Sequence, residues 1–389
     1  MTPSTVGDPG RVYRSNPGYR LYRLADLTSA QRDALARVTD DPEVYGVLVP
    51  RERTGLTVKL VNHDTAALFR RLVNGGPVPE ERGSGALALQ LGDLVAAEVL
   101  GVEDDGVFRT GIGALPRPAR PARPAADTRS TGVLMRLSLD AIRHADGLRL
   151  AGPAAMAGRL YAYHRIPVGP AARRRWSRDT VEATLTAASR SGGAPWRQVG
   201  DGRTWSSYSR ARPGPVGAPE ARLHKLYVSP MPEHFPDAVA MTVGLAADRD
   251  DAVGWKAGND CYGVLRPDKL IVYLGSMHAV ASLAGDLRRA LAGMPGHGVP
   301  FTADLGGDGL LSWGVDPPRF PNGPGAFLSD SWRTWLTHRL AAALWEAARR
   351  GLPEAVDAAL CRLDAVGVDT RTWTPATDLF GPGRDRGRT

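Results

Sequence analysis

Thiols are scarce in this 389-residue chain: Cys261 and Cys361 are the only two. Two cysteines cannot build a disulfide framework or a multi-thiolate metal site. No window approaches 18 uninterrupted apolar residues, so no helical membrane span is expected. The opening MTPSTVGDPGRVYR has no apolar core, so no secretory signal is expected and the cytoplasm is the expected location. Several catalytic signatures are missing too. There is no GxxxxGK[ST] and no GxGxxG between a strand and a helix, no HExxH, and no GxSxG elbow. Phosphate-loop nucleotide chemistry, that zinc-hydrolase pattern and serine-elbow hydrolysis therefore drop out, and neither a metal nor a cofactor is expected.

Lysine is the other rarity. Lys59, Lys225, Lys256 and Lys269 stand against 45 arginines, and three of the four lie between residues 225 and 269. In an arginine-delivered surface, a retained lysine is a candidate for what guanidinium cannot do, which is to lose its proton when desolvated. The net charge of +8 and pI near 9.8 could suggest nucleic acid. The basic residues are scattered, however, through PRPARPARP, ARRRW and GRDRGR, with no interleaved stacking aromatics. Nucleic acid and membrane are not expected partners; a phosphorylated or acidic peptide suits a modest positive excess.

With 43% apolar and 23% charged residues the chain is expected to fold, as two or three domains. The fold class expected is α+β: an N-terminal winged-helix-like and helical region followed by a C-terminal mixed α/β domain. Residues 1–112 read as a small domain. LTSAQRDALARV (27–38) is a capped helix, LTVKLV (56–61) a strand, and Asp64 opens a helix through Leu72. A further helix, ALALQLGDLVAAEVL, precedes a hairpin around Asp-Asp-Gly. Helix followed by a two-stranded wing gives the winged-helix outline. Residues 113–130 are a Pro/Ala/Arg linker, and 131–190 are helical by apolar spacing. The Gly/Pro-rich stretch 191–218 reads as a flexible loop, 219–375 as the α+β domain, and 376–389 as a disordered tail.

Alternation in RLHKLYVSP puts Lys225, Tyr227 and Ser229 on one face of a strand and His224, Leu226 and Val228 on the other. GWKAG is a short strand carrying Trp255 and Lys256, and DKLIVYLG is a buried strand. GVPFTADLGGDGLLSWGVDPP reads as a hairpin with Gly-Asp-Gly at its turn, and SDSWRTWLTHRLAAALWEAARRG as a helix closed by Gly351.

The run KLYVS (225–229), Trp255-Lys256 and Arg266-Pro267-Asp268-Lys269-Leu270-Ile271-Val272-Tyr273 resembles the HopA-type effector family and, more distantly, the phosphothreonine lyases injected by bacterial pathogens. Related lyase domains occur in lanthipeptide synthetases. The resemblance covers about 50 residues and leaves residues 1–218 uncovered. It implies that 219–375 is a lyase-like domain that eliminates phosphate from phosphoserine or phosphothreonine.

The chemistry of that elimination assigns roles. A neutral amine must take the Cα proton, and Lys256 beside Trp255 is the candidate base. Arg266, with Lys225 or Lys269, would hold the leaving phosphate; Asp268 is counted with this substrate-binding set. The kinase-fused lyases carry a His on the strand face, where Tyr227 stands here, as it tends to in HopA-type members. The candidate proton donors are therefore Tyr227 and, from loops, His297 or His234.

The expected function is a lyase acting on phosphorylated Ser/Thr of a ribosomally made precursor peptide, as in lanthipeptide-type biosynthesis. A separate kinase would make the phosphate, since no kinase motif set is present. The alternatives are a cyclase that adds cysteine to the dehydrated peptide, or a non-catalytic precursor-peptide-binding partner.

Overall fold

In the computed structural model the described residues lie between positions 11 and 375. Residues 1–10, 30, 32–43, 53–55, 57, 79–90, 96, 105, 112–113, 115–131, 149, 151, 191–195, 211–222, 317–330, 350–353, 366–367 and 376–389 are outside them. All of the expected linker but Ala114, the tail, the Gly351 helix stop and nearly all of the helix expected at 27–38 therefore fall outside the described residues.

The N-terminal part carries two small antiparallel sheets. One pairs β1 (Tyr13–Ser15) with β5 (Leu100–Asp104) and β6 (Val107–Thr110). The other pairs β2 (Tyr19–Arg23) with β3 (Gly46–Pro50) and β4 (Lys59–Val61). Helix α1 (His63–Arg71) starts one residue before the expected Asp64, because Asn62 Oδ1 accepts from the Thr65 amide at 2.9 Å. The β5–β6 hairpin is the expected one, with Gly106 at φ 74° in its turn. Two separate three-stranded sheets, however, are more than a helix with a two-stranded wing. Their pairing brings residues 13–23 against segments up to about 90 positions away, and alternation within one segment cannot show that.

Residues 131–190 form α2 (Val133–Asp146), α3 (Pro153–Ala162), α4 (Pro170–Arg175) and α5 (Arg178–Arg190). They follow the apolar spacing of the sequence but do not stand as a region of their own. Val181, Leu185 and Ala188 of α5 share a core with the C-terminal sheet. The apolar stripes of α2 and α3 share a second core with α9 (Trp332–Arg349) and α10 (Ala355–Ala365).

The central element is a seven-stranded sheet, antiparallel throughout, in the order β12-β13-β9-β11-β10-β8-β7. Its strands are β7 (Trp196–Asp201), β8 (Trp205–Arg210), β9 (His224–Val228), β10 (Ala252–Gly258), β11 (Leu270–Leu274), β12 (Ala303–Asp304) and β13 (Leu311–Val315). One correction concerns 191–218, expected as a flexible loop: residues 196–210 are the β7–β8 hairpin at the sheet edge. Trp205, Ser207 and Ser209 alternate with Ser206, Tyr208 and Arg210, and β8 finds its partner in β10, about 50 residues downstream. The Gly and Pro residues at the ends of the segment masked that alternation.

Alternation also decides which face is apolar. Leu226, Val228, Trp255, Leu270, Val272 and Leu274 point to one side. There α5, α6 (Phe235–Ala247) and α8 (Met277–Ala290) bury them. Lys225, Tyr227, Lys256, Ile271, Tyr273 and Trp205 point to the other. Helix α9 crosses that second face at β13, where Gly314 leaves room for Trp332: a Cβ there would come within 2.5 Å of the indole. The hairpin between β12 and β13 turns as expected, with Asp304 Oδ1 accepting from the Gly306 and Gly307 amides at 3.0 and 2.7 Å.

Candidate functional site

The polar face of the sheet carries a cleft built as an alternation of cations and rings. Arg266 Cζ lies 5.3 Å from the Tyr161 ring centroid and 4.9 Å from that of Trp205. Lys256 Nζ lies 4.7 Å from Trp205 and 5.9 Å from Tyr273, and Lys225 Nζ lies 5.5 Å from Tyr273. Lys225, Lys256 and Arg266 are thus brought together, as β-strand alternation anticipates.

Register explains the placement. Tyr227 of β9, Ile271 of β11, Lys256 of β10 and Ser207 of β8 stand in one cross-strand row. Lys225 and Tyr273 stand opposite each other in the adjacent row. Arg266 comes from the turn after α7 (Cys261–Val264), a short helix capped by Asp260, whose Oδ1 accepts from the Gly263 amide at 2.8 Å.

Each cation is held differently. Arg266 makes a bidentate pair with Asp268, through Nε at 2.8 Å and Nη2 at 2.9 Å. Its Nη2 also donates to the Tyr161 hydroxyl at 2.9 Å. Lys225 donates to Asp316 Oδ1 at 2.5 Å, and the same oxygen accepts from the Trp332 amide at the start of α9. Lys256 Nζ, by contrast, makes neither a hydrogen bond nor an ion pair with any of the described residues, and lies against two aromatic faces. Burial first, and the neighbouring Lys225 charge second, lower its pKa from 10.5 to about 8.

Asp268 departs from its expected role. It is 2% exposed and accepts from Arg266, from Arg333 Nη1 at 2.7 Å and from the Tyr161 hydroxyl at 3.3 Å. Burial alone would raise its pKa, but Arg266 and Arg333 overcome that and hold it well below the usual carboxylate range. A carboxylate so engaged repels phosphate. It positions the arginines instead.

Lys269 and His297 are engaged in a separate buried cluster. Lys269 Nζ donates to the Pro230 carbonyl at 2.7 Å and to His297 Nδ1 at 2.8 Å. His297 Nε2 donates to the His164 carbonyl at 2.8 Å, and His164 Nε2 donates to the His297 carbonyl at 2.9 Å. Burial lowers Lys269 to about 7; burial and the Lys269 charge lower His297 to about 3. With both ring nitrogens used and the ring neutral, His297 is not poised as a proton donor. The expectation for Lys269 as a phosphate ligand is corrected on the same ground: its amine already has two buried acceptors.

Tyr227 is 2% exposed and lies on the cleft face, while His224 lies on the helix-covered face with the ring of Trp313 6.3 Å away. The Tyr227 hydroxyl has no hydrogen-bond partner among the described residues. Burial raises its pKa well above 10, so it stays protonated at all moderate pH.

Sequence reasoning missed Tyr161, Trp205, Asp316 and Arg333. Trp205 had a signal in the Trp-Ser-Ser-Tyr-Ser alternation. Arg333, 1% exposed beside Trp332, is a lone charge on an otherwise apolar helix face. Tyr161 and Asp316 had none, since their roles depend only on what α3 and β13 pack against.

Among the described residues no group of three or more His, Cys, Asp or Glu is placed to hold a metal ion. No helix there is long and apolar enough to cross a membrane.

No protein-family model matches the chain, and no curated protein does. Several solved structures do. An effector protein from Pseudomonas syringae pv. syringae strain 61 is 14% identical, with a TM-score of 0.41 over 63% of this chain and 98% of that one. The type III effector/phosphothreonine lyase OspF from Shigella flexneri is 14% identical, with a TM-score of 0.28 over 34% and 75%. The phosphothreonine lyase SpvC from Salmonella is 12% identical, with a TM-score of 0.26 over 39% and 97%.

Proposed function

We propose that this chain is a carbon–oxygen lyase that removes phosphate from phosphoserine or phosphothreonine in a peptide. The observation that carries the reading is the state of Lys256. It is a desolvated amine with no hydrogen-bond partner among the described residues, pKa about 8, set between two other cations in an aromatic-walled cleft. A buried lysine kept for structure has its hydrogen-bond acceptors supplied, as Lys269 does by the Pro230 carbonyl and His297 Nδ1.

In the reaction the free Lys256 amine takes the Cα proton. The electron pair left behind forms the Cα–Cβ double bond, the Cβ–O bond breaks, and phosphate departs with that bond's electrons. Lys225 and the uncommitted Nη1 of Arg266 neutralise the charge growing on the phosphate. The Tyr227 hydroxyl is the donor available to the leaving oxygen. No cofactor is needed: Tyr227 gives its proton to the departing oxygen and regains one from solvent, and the Lys256 ammonium releases the Cα proton to solvent.

The substrate is a ribosomally made precursor peptide of the lanthipeptide type, phosphorylated by a separate kinase, and the product carries dehydroamino acids. Incubating the full chain with phosphothreonyl and phosphoseryl peptides tests this. Loss of phosphoric acid by mass, with a new alkene absorbance, is expected. Hydrolysis that restores the alcohol, or no change, would exclude the lyase and leave a cyclase or a precursor-peptide-binding partner.

A further inference from the structure

Among the described residues the Trp205 indole is the one ring that touches both the candidate base and the principal phosphate-side guanidinium, at 4.7 Å from Lys256 Nζ and 4.9 Å from Arg266 Cζ. Those two groups carry like charge whenever Lys256 is protonated, and they lower each other's stability as neighbours. Arg266 is anchored by Asp268 and Tyr161. Lys256 has no such anchor and would swing toward water if the ring were not there.

Trp205 reaches this position from the first residue of β8, opposite Gly258 of β10, with Ser207 two residues on standing opposite Lys256. The strand therefore lays the indole along the Lys256 side chain. Two effects of that ring oppose each other. Its π face favours the ammonium form modestly. Its bulk excludes water and so favours the neutral amine, and burial is the largest influence on this group.

We propose that Trp205 is a positioning residue: it holds the Lys256 amine desolvated and beside Arg266, so that the proton-accepting atom and the phosphate-holding guanidinium are in place together before substrate arrives. The inference rests on the lyase reading for its consequence in turnover, but the ring's effect on Lys256 does not.

Trp205→Phe keeps a ring, Trp205→Ala opens the cleft, and Trp205→Thr opens it while keeping a good strand former. The pH dependence of Lys256 acylation by an amine-reactive anhydride, read by peptide mass spectrometry on the full chain, reports the amine directly. In Trp205→Ala and Trp205→Thr the labelling midpoint is expected to rise by roughly one unit or more toward that of an exposed lysine. Trp205→Phe should stay close to the parent. With a phosphopeptide, the pH–rate midpoint should rise by the same shift, and kcat should fall more than KM changes.

A labelling midpoint unmoved in the Thr or Ala variant, with thermal unfolding still cooperative, would overturn the proposal. Should the parent chain fail to convert any phosphopeptide, the lyase reading falls. The labelling experiment then still decides the role of Trp205.

Discussion

Asp268 accepts from Arg333 across 65 residues of sequence, at 2.7 Å, while the same carboxylate accepts from Arg266 two positions before it. One buried acid therefore fixes two guanidiniums, one from the turn before β11 and one from α9. With Arg333 also donating to the Tyr161 carbonyl at 2.9 Å, the pair ties the sheet's polar face to α3.

Asp268→Asn is expected to lose about 3–5 kcal/mol of stability, because two buried guanidiniums lose their counter-charge. Since Asp268 has its pKa depressed on folding, its contribution is complete above the unfolded value near 3.9 and is lost as pH falls below it. Urea unfolding at pH 7 and pH 3 checks this: the parent should lose more on acidification than the variant. Equal losses would show that Asp268 does not carry this linkage.

Lys256→Arg should lower phosphopeptide elimination by about 10²–10⁴-fold with the fold intact, since guanidinium keeps the charge but accepts no proton. Lys59→Arg, in the N-terminal sheet, should be silent. Turnover in the parent should rise with pH through about 8, as the amine deprotonates. Parental rates in Lys256→Arg would reduce Lys256 to a phosphate-holding cation.

Lys256→Met should be more stable than the parent at pH 7, by about 1–3 kcal/mol after allowing for the partial exposure of the side chain. The folded pKa lies below the unfolded one, so the unfolded state binds more protons between about pH 8 and 10.4. Parent stability should accordingly climb over that window, and the variant's advantage should shrink. Thermal midpoints across pH 6–10.5 measure both. A variant less stable than the parent at pH 7 would mark Lys256 as structural.

The two tested proton donors should separate. Tyr227→Phe removes a hydroxyl with no partner, so stability should hardly change while turnover falls about 10²-fold with its pH midpoint in place. His297→Ala should instead cost about 1–3 kcal/mol, because the buried Lys269 amine loses an acceptor, and leave the pH–rate midpoint near that of the parent. A reversal of the two phenotypes would return the acid role to His297.

Local pattern was enough to place the strands of Lys225, Lys256 and Tyr273, to give Lys225 and Tyr227 one face, and to single out lysine against an arginine background. Period-two alternation and composition are written in the chain itself, so they need no partner to be read. What only the tertiary structure decided was what surrounds those residues. The β7–β8 hairpin became ordered because β10 pairs with it. Trp205 thereby came to lie against Lys256, and α3 and α9 brought Tyr161 and Arg333 to Asp268. The same packing engaged His297 and Lys269 with each other. Whether a charged side chain is buried with a partner or left without one depends on residues far away in sequence, and that difference separates a structural lysine from a base.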